Sequence, residues 1–177
     1  MNTYLISDTH FGHENVYKFT KNGSDERIRP WADNATAGDR IIKEKWNAVV
    51  KPNDMVYHLG DVAWTKEHLQ FVKELNGRKQ LVLGNHDHFH ASELLTVFED
   101  VLGTFYKKGL ILSHFPVHHT SFGERFVGNV HGHTHHHTVP DPRYFNVSVE
   151  SPHRDIINIG YGEPIPFNTV RRFFQKK

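Results

Sequence analysis

The sequence predicts an α/β layered fold, and three observations carry that prediction. Short runs rich in Val, Ile and Leu alternate with longer stretches whose apolar residues fall at helical spacing, the alternation that marks layered α/β architecture. The length, 177 residues, suits a single domain with a sizeable core, on a prior of roughly 100 to 200 residues per domain. Side chains able to bind metals follow directly on several of the apolar runs, and open α/β sheets bind ligands just beyond the carboxyl ends of their strands.

The first strand candidate, Thr3 to Ser7, begins without the basic segment and apolar stretch of a secretory signal, so the expected location is the cytoplasm. A helix is predicted over Ala37 to Val50, where Ile41, Ile42, Lys45, Trp46 and Val49 recur on one side. Lys51-Pro52-Asn53-Asp54 ends it. A strand over Met55 to Leu59 precedes a helix over Lys66 to Leu75, whose apolar face is Leu69, Phe71 and Val72 and which stops at Asn76-Gly77. Next come a strand, Gln80 to Leu83, and a helix from Ser92, its expected N-cap, to Phe98. Three more strands are expected at Leu110 to Ser113, Phe126 to Val130 and Tyr144 to Val149. Between about residues 127 and 159 there is no helical pattern, and turn formers such as Pro140-Asp141-Pro142 interrupt β-favouring residues, which predicts antiparallel pairing. The last helix starts near Pro166, buries Phe167, Val170 and Phe174, and ends in the basic residues Arg171, Arg172, Lys176 and Lys177, which suit its C-terminal dipole. Thr20 to Ala35 and Phe115 to Arg125 carry no clear pattern and are expected to be loops beside the site.

Composition narrows the function. No apolar run approaches the roughly 20 residues needed to span a bilayer. There is no cysteine, so disulfides, thiolate catalysis and sulfur-ligated metals are excluded. A net charge of +1 supplies no general field for a long nucleic-acid duplex, whose backbone is held by basic surfaces. Histidine is the outlier: there are sixteen, eleven of them between His86 and His137, and it is the commonest metal ligand.

Placement matters more than number. Five apolar strand candidates run straight into potential ligands: YLIS into Asp8 and His10, VYHLG into Asp61, LVLG into Asn85 and His86, LILS into His114, and VHG into His133 and His135. Loops leaving one edge of a sheet converge, giving one site of two carboxylates, an amide and four or five imidazoles. Glycines 60, 84 and 132 are expected to let the chain turn sharply just before these residues. Such a set predicts a polynuclear metal centre in which Asp8 and Asp61 offset the repulsion between neighbouring cations. Mixed oxygen and imidazole ligation suits manganese, iron, zinc, nickel or cobalt better than magnesium or calcium.

The ordered set D-x-H, GD, GNHD, H, GHTH, from Asp8 to His135, resembles the calcineurin-like metallophosphoesterase superfamily. The segments DTHFGHENV, RPW, KWNAVVKPNDMVYHLGDVAW and LILSHFPVHH look like a small, cap-less branch from bacteria and bacteriophages. The resemblance implies a four-layer fold, a two-sheet β-sandwich flanked by helices. It also implies two divalent transition-metal ions, manganese favoured: one surrounded by Asp8, His10, Asp61 and His135, the other by Asp61, Asn85, His114 and His133, with Asp61 bridging. His86 would face the substrate, stabilising the pentavalent phosphorus or protonating the departing oxygen. After Asp61 the chain reads Val-Ala-Trp-Thr, without the Asp-Arg-Gly extension of the protein serine/threonine phosphatase branch, which is therefore disfavoured.

The expected activity is hydrolysis of a P–O bond by a hydroxide shared between two cations, with an imidazole as proton donor. With no room for a cap, an open site is expected, which favours a phosphodiester such as a nucleotide or a similar small ester over a phosphomonoester. The rivals are a noncatalytic protein-binding scaffold of the same fold, which would be expected to lack some of these residues, and a histidine-rich metal buffer, which would not order them at strand ends. Around the centre, His13 touches substrate or supports a metal ligand from behind, or else only caps the following turn. Asp87 either orients His86 or caps the next turn. His118 and Arg125 are placed to grip a phosphate or belong to a polar surface loop, and Arg29 either binds phosphate through its guanidinium or stacks on Trp31 at the surface.

Overall fold

The computed structural model describes residues 1–175, so Lys176 and Lys177 of the expected basic helix end lie outside the described residues. Two mixed sheets face each other, with helices flanking the first. In the first sheet β1 (Thr3–Ile6), β2 (Met55–His58), β3 (Arg78–Val82) and β4 (Asp100–Leu102) are parallel, in the order β4-β3-β2-β1, and β9 (Ile165–Pro166) joins β1 antiparallel. The second sheet runs β5-β6-β7-β8, from β5 (Phe105–Lys107), β6 (Leu110–Leu112), β7 (Gly128–His131) and β8 (Tyr144–Asn146).

Side-chain alternation along the strands builds two cores. Leu5, Tyr57, Leu59 and Val82 point toward the second sheet and meet Leu110, Leu112, Val130 and Phe145. Their neighbours Tyr4, Ile6, Val56 and Leu81 point the other way, against Ile42 and Trp46 of α1 (Ala35–Val49) and Leu69 of α2 (Lys66–Phe71). Asn34 starts α1 by accepting the Ala37 N–H, and Thr65 starts α2 by accepting that of His68. The final helix α5 (Phe167–Gln175) feeds Phe167, Val170 and Phe174 into the inter-sheet core, as their spacing predicts.

Three expectations are corrected. The second sheet is not antiparallel throughout: β6, β7 and β8 are mutually parallel and only the β5–β6 hairpin reverses. Parallel strands need a crossover of about a dozen residues, and residues 132–143 provide it as an irregular loop rather than the helix that would have signalled it. A short helix, α4 (His153–Ile157), lies where no helical pattern was read. The helix expected from Ser92 is α3 (Ala91–Leu94), entered from His90, whose N–H is taken by the Glu93 carboxylate. Among the described residues no helix is long and apolar enough to cross a membrane.

Candidate metal centre

The two sheets touch where β1 and β8 end, through an isolated parallel bridge between Ser7 and Ser148. A second bridge, Phe11 to Ala63, lays the loop after β1 beside the loop after β2. These contacts lay the ends of β1, β2 and β8 side by side, and hydrogen bonds between Asp61 and His86, between Asp8 and His133, and between Asn85 and both His114 and His133 draw in the loops after β3, β6 and β7.

The backbone there is strained. Seven non-glycine residues have positive φ among the described residues, and five of them are Asp8, His10, Asp61, His133 and His135. Such conformations persist where surrounding structure enforces them, and they concentrate at functional sites. One of the three glycines plays the expected part and two play a different one. Gly60 alone of the three turns with positive φ. Gly84 and Gly132 instead leave space: a Cβ on Gly84 would stand 2.2 Å from Asp61 Oδ1, and one on Gly132 2.4 Å from Asp8 Oδ2.

Asp8, His10, Asp61 and His114 are buried, while Asn85, His133 and His135 are half-buried. Asp61 Oδ2 lies 3.5 Å from His10 Nε2 and 3.5 Å from His114 Nε2, so this carboxylate stands between the two imidazoles. Its other oxygen accepts the His86 N–H at 2.9 Å. Asp8 accepts the His133 N–H and the Ser148 hydroxyl, with His135 Nε2 3.9 Å from its Oδ1. The ligand-type atoms of Asp8, His10 and His135 fall within 4.8 Å of one another, as do those of Asp8, Asp61 and His114.

The donor set fits cations. His114 donates its Nδ1–H to the Leu59 carbonyl at 2.8 Å, so Nε2 is the nitrogen left to face the centre, where it takes a proton or a cation. That nitrogen faces two oxygens, Asn85 Oδ1 at 2.9 Å and Asp61 Oδ2. His133 Nδ1 also meets Asn85 Oδ1, at 3.0 Å. Three acceptors can converge only around a proton or a cation. His10 Nε2 is buried with no hydrogen-bond partner, a cost that metal ligation would remove.

Charge is arranged to match. Burial pushes the Asp61 carboxyl up, but the hydrogen bond and charge of His114 and the proximity of His10 outweigh it and hold the group far below the usual carboxylate range. His10 is pushed well down, first by burial and then by the charges of Arg29 and His135, which leaves it neutral and able to ligate.

Behind these residues lies an ion pair that the sequence reading did not find. Arg29 is fully buried, donating from Nε to Glu150 Oε2 at 3.0 Å and from its terminal nitrogens to the carbonyls of Asp8 and Thr9. Glu150 in turn pairs with His135 Nδ1, which directs Nε2 toward Asp8. Burial alone would raise the Glu150 carboxyl, yet Arg29 and His135 bring it down to about 2. His135 is drawn down by burial but lifted more by Glu150, to about 9. Arg29 therefore faces away from solvent and cannot grip a substrate phosphate. The missed signal was available, since the sixth strand candidate also runs into a carboxylate, VSV into Glu150.

The remaining expected positions divide. The His86 ring is half-buried, 5.6 Å from the His10 ring, beside the cluster. His13 stacks on Trp64 with ring centroids 3.9 Å apart and sits 5.6 Å from His10. Asp87 accepts the backbone N–H groups of Asp61, Val62 and Gly84; it ties two ligand loops together instead of holding the His86 ring. His118 is exposed and caps the turn His119–Phe122 by accepting the Thr120 N–H. Arg125 is exposed and lies over Phe126. Neither makes a hydrogen bond, ion pair or ring contact to the cluster among the described residues.

Comparison with known proteins agrees with this geometry. A family model described as calcineurin-like phosphoesterase matches residues 1–174. The chain is 32% identical over 178 residues to an uncharacterized protein of Methanocaldococcus jannaschii, covering 98% of this chain and 91% of that one. It is 31% identical over 169 residues to the Gene 66 protein of Mycobacterium phage L5, covering 76% and 77%. Its structure is similar to that of a protein of unknown function from Aquifex aeolicus, with a TM-score of 0.67, 27% identity and 97% and 98% of the two chains covered.

Proposed function

The chain belongs to the calcineurin-like phosphoesterase family, and from that premise we propose that it is a binuclear metal-dependent phosphoesterase that prefers diesters such as nucleotides or similar small esters. The observation that carries this reading is the position of the Asp61 carboxylate, 3.5 Å from both His10 Nε2 and His114 Nε2, at the junction of two ligand sets. Asp8, His10, Asp61 and His135 would hold one divalent ion, and Asp61, Asn85, His114 and His133 the other; manganese is favoured among manganese, iron, zinc, nickel and cobalt. Held by these residues, two divalent ions would supply an acidified water as nucleophile near neutral pH and stabilisation of charge on the phosphoryl oxygens.

The protein's own groups do the rest. Glu150, locked by Arg29, fixes which nitrogen of His135 faces the centre. Asp87 holds the loops of Asp61 and Asn85 in register through three backbone hydrogen bonds. His86 is tethered by its backbone to Asp61 while its ring stays half open to solvent, suited to protonating a departing oxygen. Diester preference is supported by the guanidinium groups: Arg29 is engaged by Glu150 and backbone carbonyls and Arg125 lies on Phe126, so neither meets the second negative charge of a monoester.

The test assays metal-stripped protein, the same protein after readdition of manganese or zinc, and His86→Ala, each against an aryl phosphodiester and an aryl phosphomonoester. Activity should vanish on stripping, return with metal, favour the diester, and drop about 10²- to 10⁴-fold in His86→Ala. Undiminished turnover by the stripped protein would reject the metal mechanism, and an unaffected His86→Ala would remove the acid assignment.

A further inference from the structure

What the ester carries on either side of its phosphorus can be read from the rings around the centre, an inference that rests on the phosphoesterase reading. Four aromatic side chains are exposed among the described residues: Phe19 (50%), Trp64 (48%), Tyr106 (56%) and Phe115 (49%). Three of these four stand at the mouth of one site. Trp64 lies flat on His13, interplanar angle 8°, with its centroid 5.7 Å from that of His86. Phe115 is 4.3 Å from His133 and 5.0 Å from His114. Phe19 approaches His13 at 6.1 Å and walls a cavity of about 460 Å³ that opens against His133 and His135.

Trp64 therefore marks the side of the centre formed by His10, His13 and His86, and Phe115 the side formed by His114 and His133. Large rings are normally buried. Here each is backed by an imidazole and half open, and the polar cluster separates them, so they do not merge into the continuous apolar core that a protein interface needs. Separate half-open rings on either side of a phosphoryl position suit planar groups carried by both ester oxygens. Unpaired nucleobases bind such rings face to face without needing a basic groove, in keeping with a net charge of +1.

We propose that the site takes a phosphodiester joining two unpaired nucleosides, one base stacking on Trp64 and the other on Phe115. Hydrolysis adds water oxygen to phosphorus and breaks one P–O ester bond; one nucleoside keeps the phosphate and the other leaves with the proton as a free hydroxyl. The same chemistry is offered by a free dinucleotide and by an unpaired strand.

Manganese-loaded protein is assayed with a deoxyadenosine dinucleotide, a longer single strand and an aryl phosphodiester. Trp64→Ala and Phe115→Ala should each lower kcat/KM for the dinucleotide by about 5- to 100-fold, mainly through KM. Trp64→Phe should recover most of the loss, and Tyr106→Ala should change nothing. Tighter binding of the strand than of the dinucleotide identifies a strand as the source, and equal binding a free dinucleotide. Cleavage of the aryl ester together with dinucleotide kinetics indifferent to both alanine variants overturns this proposal while leaving the phosphoesterase reading intact. If neither ester is cleaved that reading fails, and binding decides this one: Trp64 is exposed while Trp46 is buried, so a phosphorothioate dinucleotide should quench tryptophan emission in the wild type and not in Trp64→Ala. Absence of that quenching overturns the proposal.

Discussion

Glu150 and Arg29 show how one side chain governs another's chemistry at a distance from the reacting atoms. Both are fully shielded from water, and the pair is tied to His135 on one side and to the backbone of Asp8 and Thr9 on the other. Removing one partner leaves a buried charge uncompensated, so Glu150→Ala should lower stability by about 3–5 kcal/mol. Replacing both with apolar residues, Arg29→Met with Glu150→Met, should recover only part of that loss: a buried ion pair contributes little net stability over a well-packed apolar pair, but the Asp8 and Thr9 carbonyls lose their donor. Metal affinity should not recover: without Glu150 the His135 ring loses the acceptor that fixes its orientation, an effect worth about 10- to 100-fold. Chemical denaturation reads the first quantity and manganese titration calorimetry the second. If affinity returned along with stability, the pair would be structural and no more.

At the scale of elements, the strand ends carry the site, and they were legible for a physical reason. A buried strand needs an unbroken apolar run, so the abrupt change from LIS to Asp8, or from LVLG to Asn85, marks both the end of the strand and the edge of the sheet. The direction of the second sheet was not legible, because pairing sense is set by crossovers, and the loop from Gly132 to Arg143 crosses without helical periodicity. The short strands β4, β5 and β9 escaped as well, having two or three residues each and, unlike the equally short but fully buried β6 and β8, no continuous buried run. Arg29 was misread because its local sequence says nothing of Glu150, 121 positions away. The strand ends also make a steric prediction. An alanine at Gly132 meets no positive-φ strain but drives a methyl group to 2.0 Å from Ser7 Oγ and 2.4 Å from Asp8 Oδ2. Gly132→Ala should therefore displace the Asp8 carboxylate, weakening manganese binding at least about tenfold and stability by about 1–3 kcal/mol. Gly103→Ala, which would enter open space, is the control and should do neither.

Over the whole molecule, the abundance of histidine sets a limit on acid tolerance. His58, His131 and His153 are buried away from the centre's open face and held neutral: burial is the leading cause in each, and it lowers them to about 3, 4 and 4. An unfolded chain protonates these rings near pH 6.5. Their contribution to stability is thus fully present above about pH 6.5 and is lost as pH falls toward 4, the sign expected for groups whose folded pKa is depressed. At pH 5 each ring removes about 2 kcal/mol, so three remove about 6, against a total for a typical domain of about 5–15 kcal/mol. Groups that oppose this trend include His135, raised to about 9 through Glu150, Asp39, raised by burial to about 7, Asp87, also raised by burial, and His114, pushed down by burial but lifted more by Asp61 and Asp8; all favour the fold as pH falls. The net slope is therefore best isolated at a single ring. His153 accepts the Asn146 N–H at 3.3 Å and packs on Phe145 and Phe173, with no hydrogen bond to any of the expected metal ligands among the described residues. His153→Gln can keep an acceptor but cannot titrate. It should cost about 1–2 kcal/mol at pH 7.5 through lost ring packing, then gain about 2 kcal/mol relative to the wild type between pH 7.5 and pH 5. Urea unfolding of metal-free protein at the two pH values measures that difference, and a pH-independent gap between variant and wild type would mean that His153 takes up its proton without unfolding the chain.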